Sequence, residues 1–270
     1  MSTPSFSPSS SISDLLAIMQ RLRDPEHGCP WDRKQTLQSL VPYTLEEAYE
    51  VAGAIEQQDL HGLRGELGDL LFQVVFYSQI AREQGLFSFE EVVATVSEKL
   101  IRRHPHVFAS AQFADTAAVN ANWEAEKARE RQQKDAAATS VLDDIPHALP
   151  ALSRAYKIQK RCATVGFDWP ELAPVMAKVR EEVEEVQQEL DRTPRDQDKV
   201  AEELGDLLFA TVNLVRHLKK DPEQVLRQAN LKFERRFRAV EARLAAQGLT
   251  TAEADLDTME AAWQQVKESE

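Results

Sequence analysis

Glu182, Glu185, Glu203 and Asp206 are the residues whose types and spacing best suit chemistry. Glu182 and Glu185 lie three apart in REEVEEV, and Glu203 and Asp206 lie three apart in AEELGDLLFA. On a helix that spacing puts each pair on one face. Two short-linked helices run antiparallel, so the pairs meet across their interface. Four gathered carboxylates repel one another and are costly to desolvate. The stripe around Asp206 carries Leu207, Ala210 and Leu214 together with Asn213, a mixed face on which the acids are expected to point inward. A hard divalent cation resolves the conflict. Carboxylate oxygens with no His or Cys among them suit Mg²⁺, or Mn²⁺ in its place. The absence of a Glu-x-x-His motif argues against a di-iron bundle.

The first half of the chain repeats the set. Glu47 and Glu50 stand in LEEAYEV and Glu66 and Asp69 in GELGDLLF, a candidate second metal site whose stripe holds Leu70, Gln73, Phe76 and Tyr77. Simpler readings compete. Thr44 and Glu47 fit a capping box, but in the second half the corresponding position is Val179, and Glu182 lies well inside a helix. Glu181, Glu182, Glu184 and Glu185 fit a solvated face, at roughly 0.2–0.5 kcal/mol of repulsion per pair. Neither reading accounts for Glu203 and Asp206 inside an apolar run, and metal binding accounts for all four.

A cation held by carboxylates and partly hydrated anchors phosphate, whose other charges need counter-ions. Lys232, Arg235 and Arg236 offer them on one helix, with Lys99, Arg102 and Arg103 as their counterparts. Guanidinium groups suit polyphosphate through planar, bidentate contacts. Trp263 with Lys267, repeated as Trp123 with Lys127, is a weaker candidate for stacking a base or ribose.

The elements that must position these residues are helices. Only 9 glycines occur in 270 residues, and 3.6-residue periodicity dominates. Helices are expected over 12–23, 44–57, 59–84, 88–103 and 119–137, then over 149–163, 171–191, 197–220, 222–247 and 252–268. Breakers lie at 24–32, 104–108 and 192–197. The two series are copies: CPWD at 29–32 matches FDWP at 167–170, EKLIRRH at 98–104 matches LKFERRF at 231–237, and WEAEK at 123–127 matches WQQVK at 263–267. The expected architecture is all-α: a Ser/Pro-rich disordered tail at 1–11, a domain at 12–108, a connector with one helix at 109–147, and a second domain at 148–270. Each domain has four or five helices and can pack on its copy or on a second chain.

Composition narrows the partners. With 32 basic and 45 acidic residues the formal net charge is −13, which disfavours nucleic acid and anionic membranes. The two cysteines, Cys29 and Cys162, form no CxxC or Cys/His cluster and suggest a reducing, cytoplasmic setting without structural zinc. No run of about 20 apolar residues is present to span a membrane.

E-E-x-x-E followed by E-L-G-D-L-L-F, with K-F-x-R-R-F downstream, resembles the MazG nucleoside triphosphate pyrophosphohydrolases over residues 12–270. The resemblance implies an all-α fold in tandem MazG-like domains, an intertwined homodimer, Mg²⁺, and hydrolysis of NTPs or dNTPs to NMPs and pyrophosphate. It further implies that the second copy is the catalytic one. There Glu182, Glu185, Glu203 and Asp206 would hold Mg²⁺, while Lys178, Lys199, Lys232, Arg235, Arg236 and Trp263 would contact nucleotide. Water would attack the α-phosphorus in line, with Glu181 or Glu184 as base. The first copy differs at Tyr49 for Glu184, at Phe76 for Asn213, and at His104-Pro105 after its basic helix, yet it keeps its four acids. Related all-α pyrophosphatases acting on dUTP, dCTP or phosphoribosyl-ATP share the four-acid pattern, and a non-enzymatic helical interaction module stays open. Base preference is not legible in these residues.

Overall fold

The computed structural model describes residues 11–134 and 140–270, and every regular element among them is helical. Most of the expected tail, and the end of the helix expected over 119–137, lie outside the described residues. The chain divides into two compact units, Met1–Arg129 and Glu130–Glu270.

The first unit contains α1 (Ile12–Leu22), a 3-10 turn at Asp32–Lys34, α2 (Val41–Glu56), α3 (Leu60–Glu83), α4 (Phe89–Arg103), the single turn α5 (Pro105–Phe108) and most of α6 (Thr116–Lys134), which continues past the unit boundary. Ser11, Asp59 and Ser88 accept bonds from first-turn N–H groups of α1, α3 and α4, and Ser88 closes a full capping box with Glu91. α2 begins three residues before the expected start because Pro42 sits in its first turn, where a missing N–H costs nothing. Thr44 is therefore interior. Its hydroxyl lies 3.1 Å from the Leu40 carbonyl oxygen and 2.8 Å from the Tyr77 hydroxyl, so the capping box that would explain Glu47 locally does not form. α4 does stop at Arg103, and Pro105 then opens α5. The core gathers Met19, Leu40, Val75, Phe76 and Ile80, with Leu15, Leu16, Phe72 and Tyr77 packed around them. The helix expected in the connector lies against this unit: Trp123 stands edge-on to His104 at 4.9 Å, and Arg102 pairs with Glu126 at 3.6 Å.

The second unit contains α7 (Ala151–Ala163), α8 (Leu172–Asp191), α9 (Gln197–His217), α10 (Pro222–Ala246) and α11 (Leu256–Glu268). Asp196, Asp221 and Asp255 cap α9, α10 and α11. α8 and α9 form an antiparallel hairpin, α7 packs on α9 and α10, and α10 pairs with α11 over Val240, Leu244, Ala262 and Val266. After α7 the chain reverses at Gly166, whose φ of +84° suits a residue without Cβ. That reversal lays residues 167–171 along the α7–α9 side.

Candidate functional site

Periodicity puts the two acid pairs on facing sides of the α8–α9 hairpin, and the structure brings three of the four together. One carboxylate oxygen each from Glu182, Glu203 and Asp206 lie within 4.8 Å of one another. Glu182 is 4% exposed, Glu203 is half-buried and Asp206 is open to solvent. The inward orientation expected of the acids thus holds for Glu182 and not for Asp206. Glu185 stands beside this group without joining it. Its carboxyl is pushed up by burial first and then by the Glu182 charge, with Lys178 opposing the rise and Glu203 adding to it.

Lys178, one turn before Glu182 on α8, is the local counter-charge. Its Nζ lies 2.7 Å from Glu181 Oε1 and 2.8 Å from Glu182 Oε1. Those two carboxylates, Glu181 foremost, hold the ammonium well above the usual lysine range. Glu182 Oε2 is buried with no hydrogen-bond partner. A buried carboxylate oxygen left unpaired is costly. Beside two further carboxylates and no His or Cys, it fits a hard divalent cation. Glu182, Glu203 and Asp206 would hold that ion, with Glu185 adjacent.

The acids open onto a cavity of about 630 Å³ in this unit. Glu182, Asp206 and Lys178 form part of its wall, with Phe167, Trp169 and Phe209 as aromatic surfaces. Gln159, Asn213 and Arg216 add polar groups. Arg216 donates to Asn213 Oδ1 at 2.8 Å and to Asp168 Oδ1 at 2.6 Å, and His217 Nε2 lies 2.9 Å from the same Asp168 oxygen. This network ties residues 167–171 to the end of α9. Of these polar residues the sequence singles out only Asn213, on the Asp206 stripe; for Asp168 the only signal is that FDWP repeats CPWD.

The remaining site residues fall elsewhere. Glu181 is exposed and bound to Lys178, while Glu184 is exposed and outside the acid group. Lys199 is exposed one turn before Glu203, at the capped start of α9. Lys232 is exposed on α10. Arg235 and Arg236 both donate to the Glu270 carboxylate, at 2.9 Å and 2.5 Å, and together hold it down to about 2. Trp263 packs against Phe233 at 5.2 Å and under the Arg236 guanidinium at 5.9 Å. These α10 and α11 residues do not line the cavity.

The first unit repeats the acid group. Oxygens of Glu47, Glu66 and Asp69 lie within 4.8 Å of one another, and Glu50 again stands adjacent. Burial first, then Asp69, pushes the Glu47 carboxyl up; burial first, then Glu50, does so for Glu66. Tyr43 stands one turn before Glu47, where the second unit has Lys178. Phe76, the counterpart of Asn213, is fully buried among Phe72, Trp31 and the Arg23 guanidinium.

Fold and site together define a helical protein that carries a group of three close carboxylates twice, once in each unit. The model of the MazG nucleotide pyrophosphohydrolase domain matches residues 35–108 and 172–240, more than half of the chain, and the chain belongs to that family. It is 60% identical to a nucleoside triphosphate pyrophosphohydrolase of Escherichia coli K12, over 96% of this chain and 98% of that protein. It is 44% identical to a nucleoside triphosphate pyrophosphohydrolase/pyrophosphatase MazG of Thermotoga maritima over 95% of each. An uncharacterized protein YabN of Bacillus subtilis is 43% identical over 96% of this chain, which covers 52% of that protein.

Proposed function

We propose that the chain is a nucleoside triphosphate pyrophosphohydrolase, converting NTPs or dNTPs and water to NMPs or dNMPs and pyrophosphate, and that the second unit carries the activity with Mg²⁺. The observation that carries the assignment to this unit is the cavity that the α8–α9 acids adjoin, beside the unpaired Glu182 oxygen. In the first unit Phe76 is buried at the position of Asn213, and Tyr43 replaces the lysine.

A divalent cation at such a site neutralises charge on the triphosphate and on the departing pyrophosphate. Around it, Lys178 moves from pairing carboxylates to pairing phosphate oxygens, joined by Lys199, Lys232, Arg235 and Arg236. Glu181 or Glu184 takes the proton of the attacking water, and Trp263 contacts the nucleotide. An intertwined homodimer fits the exposed apolar residues of the hairpin, among them Val183, Leu204 and Leu208 at 51%, 45% and 60% exposure. A second copy is also a route by which α10–α11 cations reach a cavity they do not line within one unit. The acidic surface fits free nucleotides rather than nucleic acid as substrate, and a cytoplasmic setting accords with that. No helix among the described residues is long and apolar enough to cross a membrane.

The test is product analysis with ATP and Mg²⁺ on wild type, Asp206→Asn and Asp69→Asn. AMP and pyrophosphate lost in Asp206→Asn alone is the expected result. Loss in Asp69→Asn with activity retained in Asp206→Asn assigns catalysis to the other unit and overturns this reading.

A further inference from the structure

We propose that the Glu270 carboxylate stands in for phosphate on Arg235 and Arg236, so that a nucleotide engages these arginines only by displacing it. The proposal rests on the nucleotide chemistry proposed above, in which both arginines meet phosphate. Glu270 follows the end of α11 and reaches back to α10 across 34 residues of sequence. Arg235 Nη2 donates to Oε1 at 2.9 Å, and Arg236 donates to Oε2 through Nε at 2.9 Å and Nη2 at 2.5 Å. Two guanidinium groups thus converge on the two oxygens of one anion, an arrangement in which arginine also takes phosphate. The Arg236 guanidinium also lies over the Trp263 ring at 5.9 Å, and that ring packs in turn on Phe233.

The contact is open to exchange. The side chains of Glu270 and Arg235 are 33% and 69% exposed, so a solute anion reaches them and the screened pair is weak. The guanidinium groups, Arg236 foremost, hold the carboxyl down to about 2, so no pH near neutrality releases it. Another anion does. The carboxylate brings a single charge, whereas a triphosphate brings several and has oxygens for both arginines. While Glu270 is seated, affinity for phosphate falls in proportion to the fraction of time the arginines are free. The worth of one exposed pair makes that reduction about two- to fivefold.

A simple anchor gives the opposite sign. Ser269 also ties the end of α11 to α10, its hydroxyl 3.3 Å from Arg243 Nη2. Were Glu270 only another such tie, neutralising it would loosen Arg236 and Trp263 and weaken phosphate binding. For a stand-in, neutralising it strengthens that binding.

The experiment uses full-length wild type, Glu270→Gln and Glu268→Gln, the last removing the same charge from an exposed neighbour. Inorganic triphosphate is titrated against phenylglyoxal modification of Arg235 and Arg236, read by peptide mass spectrometry. Half-protection should come at about two- to fivefold lower triphosphate in Glu270→Gln than in wild type, and at the wild-type concentration in Glu268→Gln. An equal or higher midpoint in Glu270→Gln, an equal fall in Glu268→Gln, or no protection of either arginine overturns the proposal. This readout needs no turnover, so it stands even where ATP hydrolysis is absent and the functional reading fails. Where ATP is hydrolysed, KM should fall by the same factor in Glu270→Gln with kcat unchanged, and a raised KM marks an anchor and overturns the proposal.

Discussion

Lys178→Met keeps the side-chain stem and removes the charge on which Glu182 depends. In wild type the Lys178 ammonium lies 2.8 Å from Glu182 Oε1, and the other Glu182 oxygen is buried without a partner. The variant leaves a carboxylate whose side chain is 5% exposed with its charge uncompensated by that lysine. Removing one partner of a fully buried pair costs roughly 3–5 kcal/mol. Lys178 is itself 35% exposed, so solvent screening reduces the expected loss to roughly 1–3 kcal/mol. Each kcal/mol moves the Tm of a domain by about 2–8 °C depending on its size. The second unit should therefore melt roughly 5–10 °C lower in EDTA. The lysine is held above its ordinary value, so its contribution is complete at every pH below about 10 and is lost only above that. Saturating Mg²⁺ takes over the same carboxylate, and at a hundred times Kd contributes about 2.7 kcal/mol, so the deficit should largely close. Scanning calorimetry on wild type, Lys178→Met, Glu182→Gln and the double variant, with EDTA and with Mg²⁺, measures both effects. In the Glu182→Gln background the lysine should matter little. An unchanged melting temperature in EDTA, or the same deficit with Glu182 absent, would refute the reasoning.

Three further outcomes are expected. Phe76→Ala removes a fully buried ring from the first unit's core and should cost roughly 3–5 kcal/mol in urea unfolding while leaving NTP hydrolysis intact. Burial alone would raise the Asp168 carboxyl, but the bonds from Arg216 and then His217 outweigh it and hold it below the usual range. A depressed carboxyl contributes stability above its unfolded value near 3.9 and loses it as pH falls through the folded value. Asp168→Asn should thus cost about 1–3 kcal/mol at pH 6 and markedly less at pH 3, and a pH-independent cost would contradict the network. Glu270→Gln frees Arg235 and Arg236 from the carboxylate they share, and should lower KM for ATP about two- to fivefold if these side chains meet phosphate. An unchanged KM would remove them from the nucleotide site.

The helices were legible because their signals are local. α3, α4 and α7 to α11 begin and end within a few residues of where apolar spacing, capping residues and breakers place them. α2 shows the limit: Pro42 extends it backwards, and Thr44 turns to Tyr77, a partner 33 residues away that no spacing rule reveals. The carboxylate group was legible for a similar reason, since i,i+3 spacing selects a helix face and the hairpin closes the rest. Its inner structure was not. Glu182 and Asp206 look alike in sequence, yet one is buried and the other open, a difference that i,i+3 spacing does not carry. The cavity, Gln159 and the Asp168–Arg216 bond arise from contacts across 48 to 50 residues, beyond the reach of periodicity. Lys178 came into view only through family resemblance, and its position between two glutamates only through coordinates.

The central claim is that the second unit's carboxylates direct water to the α-phosphorus of a nucleoside triphosphate. Its most direct test is turnover of ATP in ¹⁸O-water with Mg²⁺, by wild type and Glu182→Gln in parallel. The account predicts ¹⁸O in AMP, none in pyrophosphate, and no product from the variant. Label in pyrophosphate, or label in AMP at an undiminished rate from Glu182→Gln, would contradict it.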